Sequence, residues 1–97
     1  MIAEFSVVPI GKGESLSPYV AECLKIVKAS GLRYQFTSMG TILEGDFDRV
    51  MKIIADCHKR VKGMSNRVST SIKIDDRTGG EDEMRRKTLS VEKRLAQ

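Results

Sequence analysis

The residues best suited to chemistry lie in one stretch, Tyr34 to Asp48, which reads Tyr-Gln-Phe-Thr-Ser-Met-Gly-Thr-Ile-Leu-Glu-Gly-Asp-Phe-Asp. Two short alternating runs meet at Met39-Gly40, and the second leads into a helix start at Asp46. A period of two sets Gln35, Thr37 and Glu44 on a face that should otherwise be apolar or solvated. An amide and a hydroxyl offer donors and acceptors, and a carboxylate offsets positive charge, so such a face is a candidate ligand floor.

Other constellations carry less. His58 is the single histidine and stands beside Asp56 and Cys57. Adjacent helical positions point about 100° apart, and Lys62 occupies the position four residues on, so no metal-ligand pair forms. There is no Gly-x-Ser-x-Gly elbow, and one histidine without a carboxylate partner makes no triad. Gly79-Gly80 opens a helix and could hold an anion, but Glu81-Asp82-Glu83 would repel it. The residues therefore point to binding without catalysis, and to no metal.

Those side chains must be positioned by one domain, residues 1–97, with a single core. The net charge of +4 is mild, and its densest group, Lys52, Lys59, Arg60, Lys62 and Arg67, traces no phosphate backbone. No apolar run approaches the roughly 18–20 residues that cross a bilayer. The first residues are strand-like, include Glu4 and lack a basic leader, so the expected compartment is cytoplasmic. Cys23 and Cys57 fall on helical apolar stripes, where reduced thiols pack as small hydrophobes.

Periodicity orders the elements. Residues 2–10 alternate as a strand that ends near Pro9. Ser17-Pro18 reads as a helix start with a serine cap, and Val20, Cys23, Leu24 and Val27 recur at helical spacing up to Gly31. Strands follow over 32–38 and 41–45, joined by a hairpin in which Gly40 supplies a positive φ. Asp46 caps a helix with the stripe Phe47, Val50, Ile54, Cys57 and Val61, ended by Gly63. Residues 67–75 alternate clearly, and a last helix starts at Glu81-Asp82-Glu83 with Met84, Thr88, Val91 and Leu95 along one side.

This is the α+β, ferredoxin-like βαββαβ plan: a four-stranded antiparallel sheet with helices on one face, plus a C-terminal helix. Apolar positions assign Phe5, Val7, Tyr34, Phe36, Leu43, Val68, Thr70, Ile72 and Ile74 to the helix side. The open side then carries Glu4, Ser6, Val8, Gln35, Thr37, Ile42, Glu44, Ser69, Ser71 and Lys73. A slip of one residue would exchange Glu44 with Leu43. Such a face is a wet antiparallel surface, a seam with a second subunit, or a seam that encloses a small cationic or amide-rich molecule.

The segments Ser6 to Gly11, Ser17 to Ala21, Ser30-Gly31-Leu32, Met39-Gly40-Thr41 with Glu44-Gly45, and Arg67 to Asp75 resemble the YkoF-like family of thiamine-binding proteins. The resemblance extends to Ser90-Val91-Glu92-Lys93 in the last helix. It implies a non-catalytic protein that assembles as a homodimer or homotetramer and binds thiamine or its hydroxymethylpyrimidine moiety, with no other cofactor. The geometry of the open face, together with the Met39-Gly40-Thr41 and Glu44-Gly45 stretch, makes Ser6, Gln35, Thr37, Met39, Gly40, Thr41 and Glu44 the expected ligand site. The hydroxyls and amide meet the pyrimidine edge, and Glu44, or Glu4, meets its amine or the cationic thiazolium. A net-positive chain repels such a ligand at long range, so local carboxylates must supply the attraction.

Two other classes share this plan. One is an oligomeric sensor for a different small molecule. The other is an RNA platform, which stacks bases on aromatics of the first and fourth strands. The open positions there are Glu4, Ser6, Val8, Ser69, Ser71 and Lys73, which offer no ring.

Overall fold

The computed structural model describes residues 1–97 and has the order β1 (Ile2–Pro9), α1 (Ser17–Ser30), β2 (Arg33–Phe36), β3 (Thr41–Glu44), α2 (Phe47–Lys62), β4 (Val68–Asp75) and α3 (Glu83–Leu95). The strands form one antiparallel sheet in the order β2-β3-β1-β4. This is the ferredoxin-like α+β arrangement with a third helix appended.

Register fixes the faces, because residues directly opposite in an antiparallel pair share a side. Ala3 meets Leu43 and Ile74, Phe5 meets Thr41 and Ile72, and Leu43 meets Tyr34. That row set lies under α1 and α2, so Leu43 is inside and Glu44 outside, as alternation requires. Leu43, Val27, Val50, Cys57 and Val61 are fully buried at the centre. Each side chain of this kind contributes about 1.5–3 kcal/mol on leaving water.

The caps show what local sequence achieves. Asp46 accepts a hydrogen bond from the Arg49 amide at 3.0 Å, satisfying one of the free donors of the first turn of α2. Gly31 closes α1 with φ +75°, a conformation that favours glycine. At the other end of α1 the expected serine cap is absent. The helix already includes Ser17, Leu16 holds the cap position, and Pro18 lies in the first turn, where its missing N–H costs nothing.

The helices cover the middle of the sheet only. All four residues of β2 are exposed, Tyr34 and Phe36 among them, and so are Ile72 and Ile74 at the far end of β4. α3 does not join the helical layer. Its first turn lies against the open face, and every residue from Arg85 onward is exposed. The radius of gyration, 14.8 Å, exceeds the roughly 12–13 Å of a compact chain of this length for that reason.

Candidate functional site

The β2–β3 connection is built from its own atoms. The Thr37 amide donates to the Gly40 carbonyl at 2.9 Å, and the Thr37 hydroxyl donates to the same oxygen at 2.8 Å. That hydroxyl also accepts from the Met39 and Gly40 amides at 3.2 and 3.1 Å. One hydrogen and two lone pairs are all a threonine hydroxyl has. Thr37 therefore shapes the turn and has no capacity left for a ligand.

Gly40 is required, though not for the reason its sequence suggested. It does not adopt a positive φ, unlike Gly11, Gly13, Gly31 and Gly79. A Cβ there would lie 2.9 Å from the Phe5 carbonyl oxygen, closer than real contacts allow. Glycine lets the turn press onto β1.

β3 pairs with β1 only as far as Phe5, so the hairpin leaves Ser6 to Val8 unpaired on that side. Below this gap lies a cavity of about 170 Å³ between the turn, β1 and the N-terminal half of α1. Phe5, Val7, Leu16, Val20, Cys23 and Phe36 give it apolar walls, and Ser6, Thr37, Ser38, Met39, Gly40 and Thr41 complete it. On the open side a cleft of about 120 Å³ is lined by Glu4, Phe5, Ser6, Met39, Ser71, Ile72 and Lys73. Phe5, Ser6 and Met39 border both hollows, and Met39 itself is 84% exposed.

Five of the seven residues expected at a ligand site, Ser6, Thr37, Met39, Gly40 and Thr41, thus come together, but around the mouth of a cavity on the helix side. Thr41 corrects the expected arrangement. It is opposite Phe5 and Phe36 and buried, so its hydroxyl cannot share the open face with Gln35. Gln35 is on the open face, opposite Ile42, which in turn faces Glu4.

Glu44 lies on the open face as expected, but its carboxylate is engaged. It accepts the Glu83 amide at 2.5 Å and the Met84 amide at 3.3 Å, so it caps α3 from another strand. The residue at the cap position, Asp82, has φ +53° and makes no capping bond of its own, but forms an ion pair with Arg33. Buried Glu83 pairs with Arg86 at 2.6 Å, and Lys87 pairs with Asp75. The Arg86 guanidinium holds the Glu83 carboxyl below its ordinary range, and Lys87 does the same for Asp75. Glu4 has no ion pair, which leaves it the open-face carboxylate of this sheet without a protein partner.

The cavity walls contributed by α1 escaped sequence reasoning. Val20 and Cys23 carry only the ordinary signal of a core stripe, Leu16 at the cap position carries none, and no local pattern says that a hairpin turn will close over them. The Cys23 and Cys57 thiols meet across the α1–α2 contact, with the Cys57 sulfur 3.6 Å from the Cys23 carbonyl. A hydrogen bond from Cys57 draws the Cys23 thiol down, and the same bond together with burial pushes Cys57 up. Both cysteines are free. His58 is half-buried where α2 meets β4, with Nδ1 2.6 Å from the Thr70 hydroxyl. The aromatic rings of the sheet, Phe5, Tyr34 and Phe36, all point to the helix side, away from the surface on which an RNA platform stacks bases.

Residues 3–92 match the family described as thiamine-binding protein. The chain belongs to that family. A UPF0045 protein of Methanocaldococcus jannaschii, MJ1052, is 37% identical over 91 residues, covering 94% of this chain and 91% of its own. A UPF0045 protein of Staphylococcus xylosus is 41% identical over 101 residues, covering 97% and 94%. The crystal structure of MJ1052 superposes with a TM-score of 0.87 at 38% identity, covering 93% of each chain. A Thermotoga maritima structure described as a candidate thiamine biosynthesis/salvage protein has a TM-score of 0.77 at 19% identity, covering 91% of this chain and 96% of its own; it shares the fold.

Proposed function

We propose that this protein binds thiamine, or its hydroxymethylpyrimidine moiety, reversibly and without chemistry, as a homo-oligomer. Family membership over residues 3–92 carries the reading. The paired hollows beside Met39 support it with chemistry. The inner cavity offers the space of about five or six waters at roughly 30 Å³ each, which suits one heteroaromatic ring better than two. Its walls are apolar and its mouth carries the Ser6 and Ser38 hydroxyls, as a ring with a polar edge requires. The outer cleft holds Glu4, whose carboxylate can offset a thiazolium cation. Phe5, Ser6 and Met39 border both hollows, so a ligand in either would touch them.

Glu44 is replaced by Glu4 as the electrostatic anchor in this proposal, because the amides of α3 already occupy the Glu44 oxygens. Gln35 lies on the same open face, two strands from Glu4, and does not line the cleft. No helix is long and apolar enough to cross a membrane.

Titration calorimetry with thiamine on the native protein tests the assignment. Binding is expected, with affinity reduced about tenfold in Glu4→Gln, or about 1.4 kcal/mol, and unchanged in Lys12→Ala. Equal affinity of the Glu4→Gln variant removes that anchor. Absence of heat and of amide shift changes around Met39 in the native protein overturns the function.

A further inference from the structure

α1 and α2 touch through two cysteines. Each sulfur reaches the carbonyl of the residue that bears the other: Cys57 Sγ lies 3.6 Å from the Cys23 oxygen, and Cys23 Sγ lies 4.0 Å from the Cys57 oxygen. Such crossed contacts arise only where two helix backbones come close, and close backbones are what a disulfide requires. The two thiols are also hydrogen-bonded to each other. Both are free in this structure.

Their surroundings differ. Cys57 is fully enclosed, whereas Cys23 forms part of the wall of the inner cavity. A thiol sealed in a core is inert, but one that faces a void can meet a small reagent. The cavity of about 170 Å³ admits hydrogen peroxide, which is little larger than water, and is too small for a tripeptide disulfide such as oxidised glutathione.

We infer that Cys23 and Cys57 form a redox site, in which a peroxide entering the inner cavity oxidises Cys23 and Cys57 then closes an intrachain disulfide. The inference goes beyond ligand binding and does not depend on it. In the first step the Cys23 thiolate attacks one peroxide oxygen. An S–O bond forms, the O–O bond breaks, and the departing hydroxide takes up the Cys23 proton as water. In the second step the Cys57 sulfur attacks the Cys23 sulfur. The S–S bond forms, the S–O bond breaks, and the departing hydroxide leaves with the Cys57 proton as a second water. The two thiols give up two electrons and two protons, and the peroxide receives them.

The roles follow from the contact between the sulfurs. The hydrogen bond from Cys57 favours the Cys23 thiolate, while the same bond and burial keep Cys57 protonated, so Cys23 attacks and Cys57 resolves. The bond ties α1 to α2 and draws the Cys23 sulfur out of the cavity wall. Oxidation therefore reshapes the hollow between α1 and the β2–β3 turn.

Mass spectrometry tests the site on the native chain. Reduced protein is treated with a modest excess of hydrogen peroxide, then alkylated under denaturing conditions. The expected product has no alkylatable thiol, the mass of one chain less two hydrogens, and a Cys23–Cys57 linkage in its peptide map. Dithiothreitol should restore both thiols. Exposed Met39 gives a separate signal, because a sulfoxide adds an oxygen. Folding should slow thiol oxidation by glutathione disulfide more than about 100-fold relative to the urea-unfolded chain, and by peroxide less than about tenfold. Cys57→Ala should stop at a Cys23 sulfenic acid that dimedone traps. Thiols that stay alkylatable while Met39 is oxidised overturn the proposal, and so does a linkage between chains instead of within one. Equal slowing of both oxidants removes the cavity as the route and overturns it too. The native-chain measurements decide even where Cys57→Ala does not fold. No thiamine is present in these reactions, so their outcome is separate from that of the ligand titration.

Discussion

α2 and α3 carry comparable amphipathic stripes, and the structure treats them in opposite ways. The α2 stripe of Val50, Ile54, Cys57 and Val61 is buried to 2% exposure or less. The α3 stripe of Met84, Thr88, Val91 and Leu95 is half-buried at its first residue and exposed at the other three. α2 is held by apolar packing against β1 and α1, whereas α3 is held by charge: Glu44 on its amides, Arg33 on Asp82, Asp75 on Lys87. An isolated helix of thirteen residues is marginal in water. A stripe therefore states that a face seeks cover. It does not state that the same chain supplies it.

The sharpest way to break this contrast is to truncate both stripes. Ile54→Ala should lower unfolding stability by about 3 kcal/mol in urea denaturation, through lost burial and the cavity left behind. Leu95→Ala, measured on the dissociated chain, should change it by less than about 0.5 kcal/mol. Equal costs would mean that α3 is packed after all.

Glu44→Gln tests the charge-held side at smaller scale. A neutral amide caps a helix less well than a carboxylate, and about 1 kcal/mol of α3 docking should go. Faster amide exchange confined to Met84–Leu95, with α2 protection intact, is the expected signature. Loss of protection in both helices would show that α3 is part of the core.

Acid gives the mildest test. Asp75 and Glu83 titrate below their ordinary values in the folded chain because Lys87 and Arg86 stand beside them. The unfolded chain takes up those protons first as pH falls, so their contribution is complete above the ordinary carboxylate range, at about pH 4. It is lost as pH drops through the folded-state values. Amide resonances of α3 should shift there before those of α2. Simultaneous movement of both helices would erase the distinction.

The fold was legible because period, caps and turns agree along the chain. Alternation over Val68–Asp75 and the Asp46 cap located their elements closely, and the face assignment of Leu43 against Glu44 followed from a period of two. The site was legible in part. Ser6, Met39 and Gly40 line the inner cavity, but Thr41 faces inward, the Thr37 hydroxyl is consumed by its own turn, and Glu44 belongs to α3. Alternation says which face a residue takes, and nothing about which distant group will reach it there.

The amino-acid order alone determined the elements and their faces, since these follow from local geometry repeated every two or 3.6 residues. It did not determine which apolar residues are covered: Phe47, expected on the buried stripe of α2, is exposed, as are Tyr34 and Phe36. Tertiary structure decided that a hairpin turn closes a cavity against α1, that Glu44 is committed to a helix thirty-nine residues away, and that half of β4 and most of α3 lie bare. Each of those depends on which elements meet in space, and the energy of such a meeting is shared between residues that no window of sequence contains.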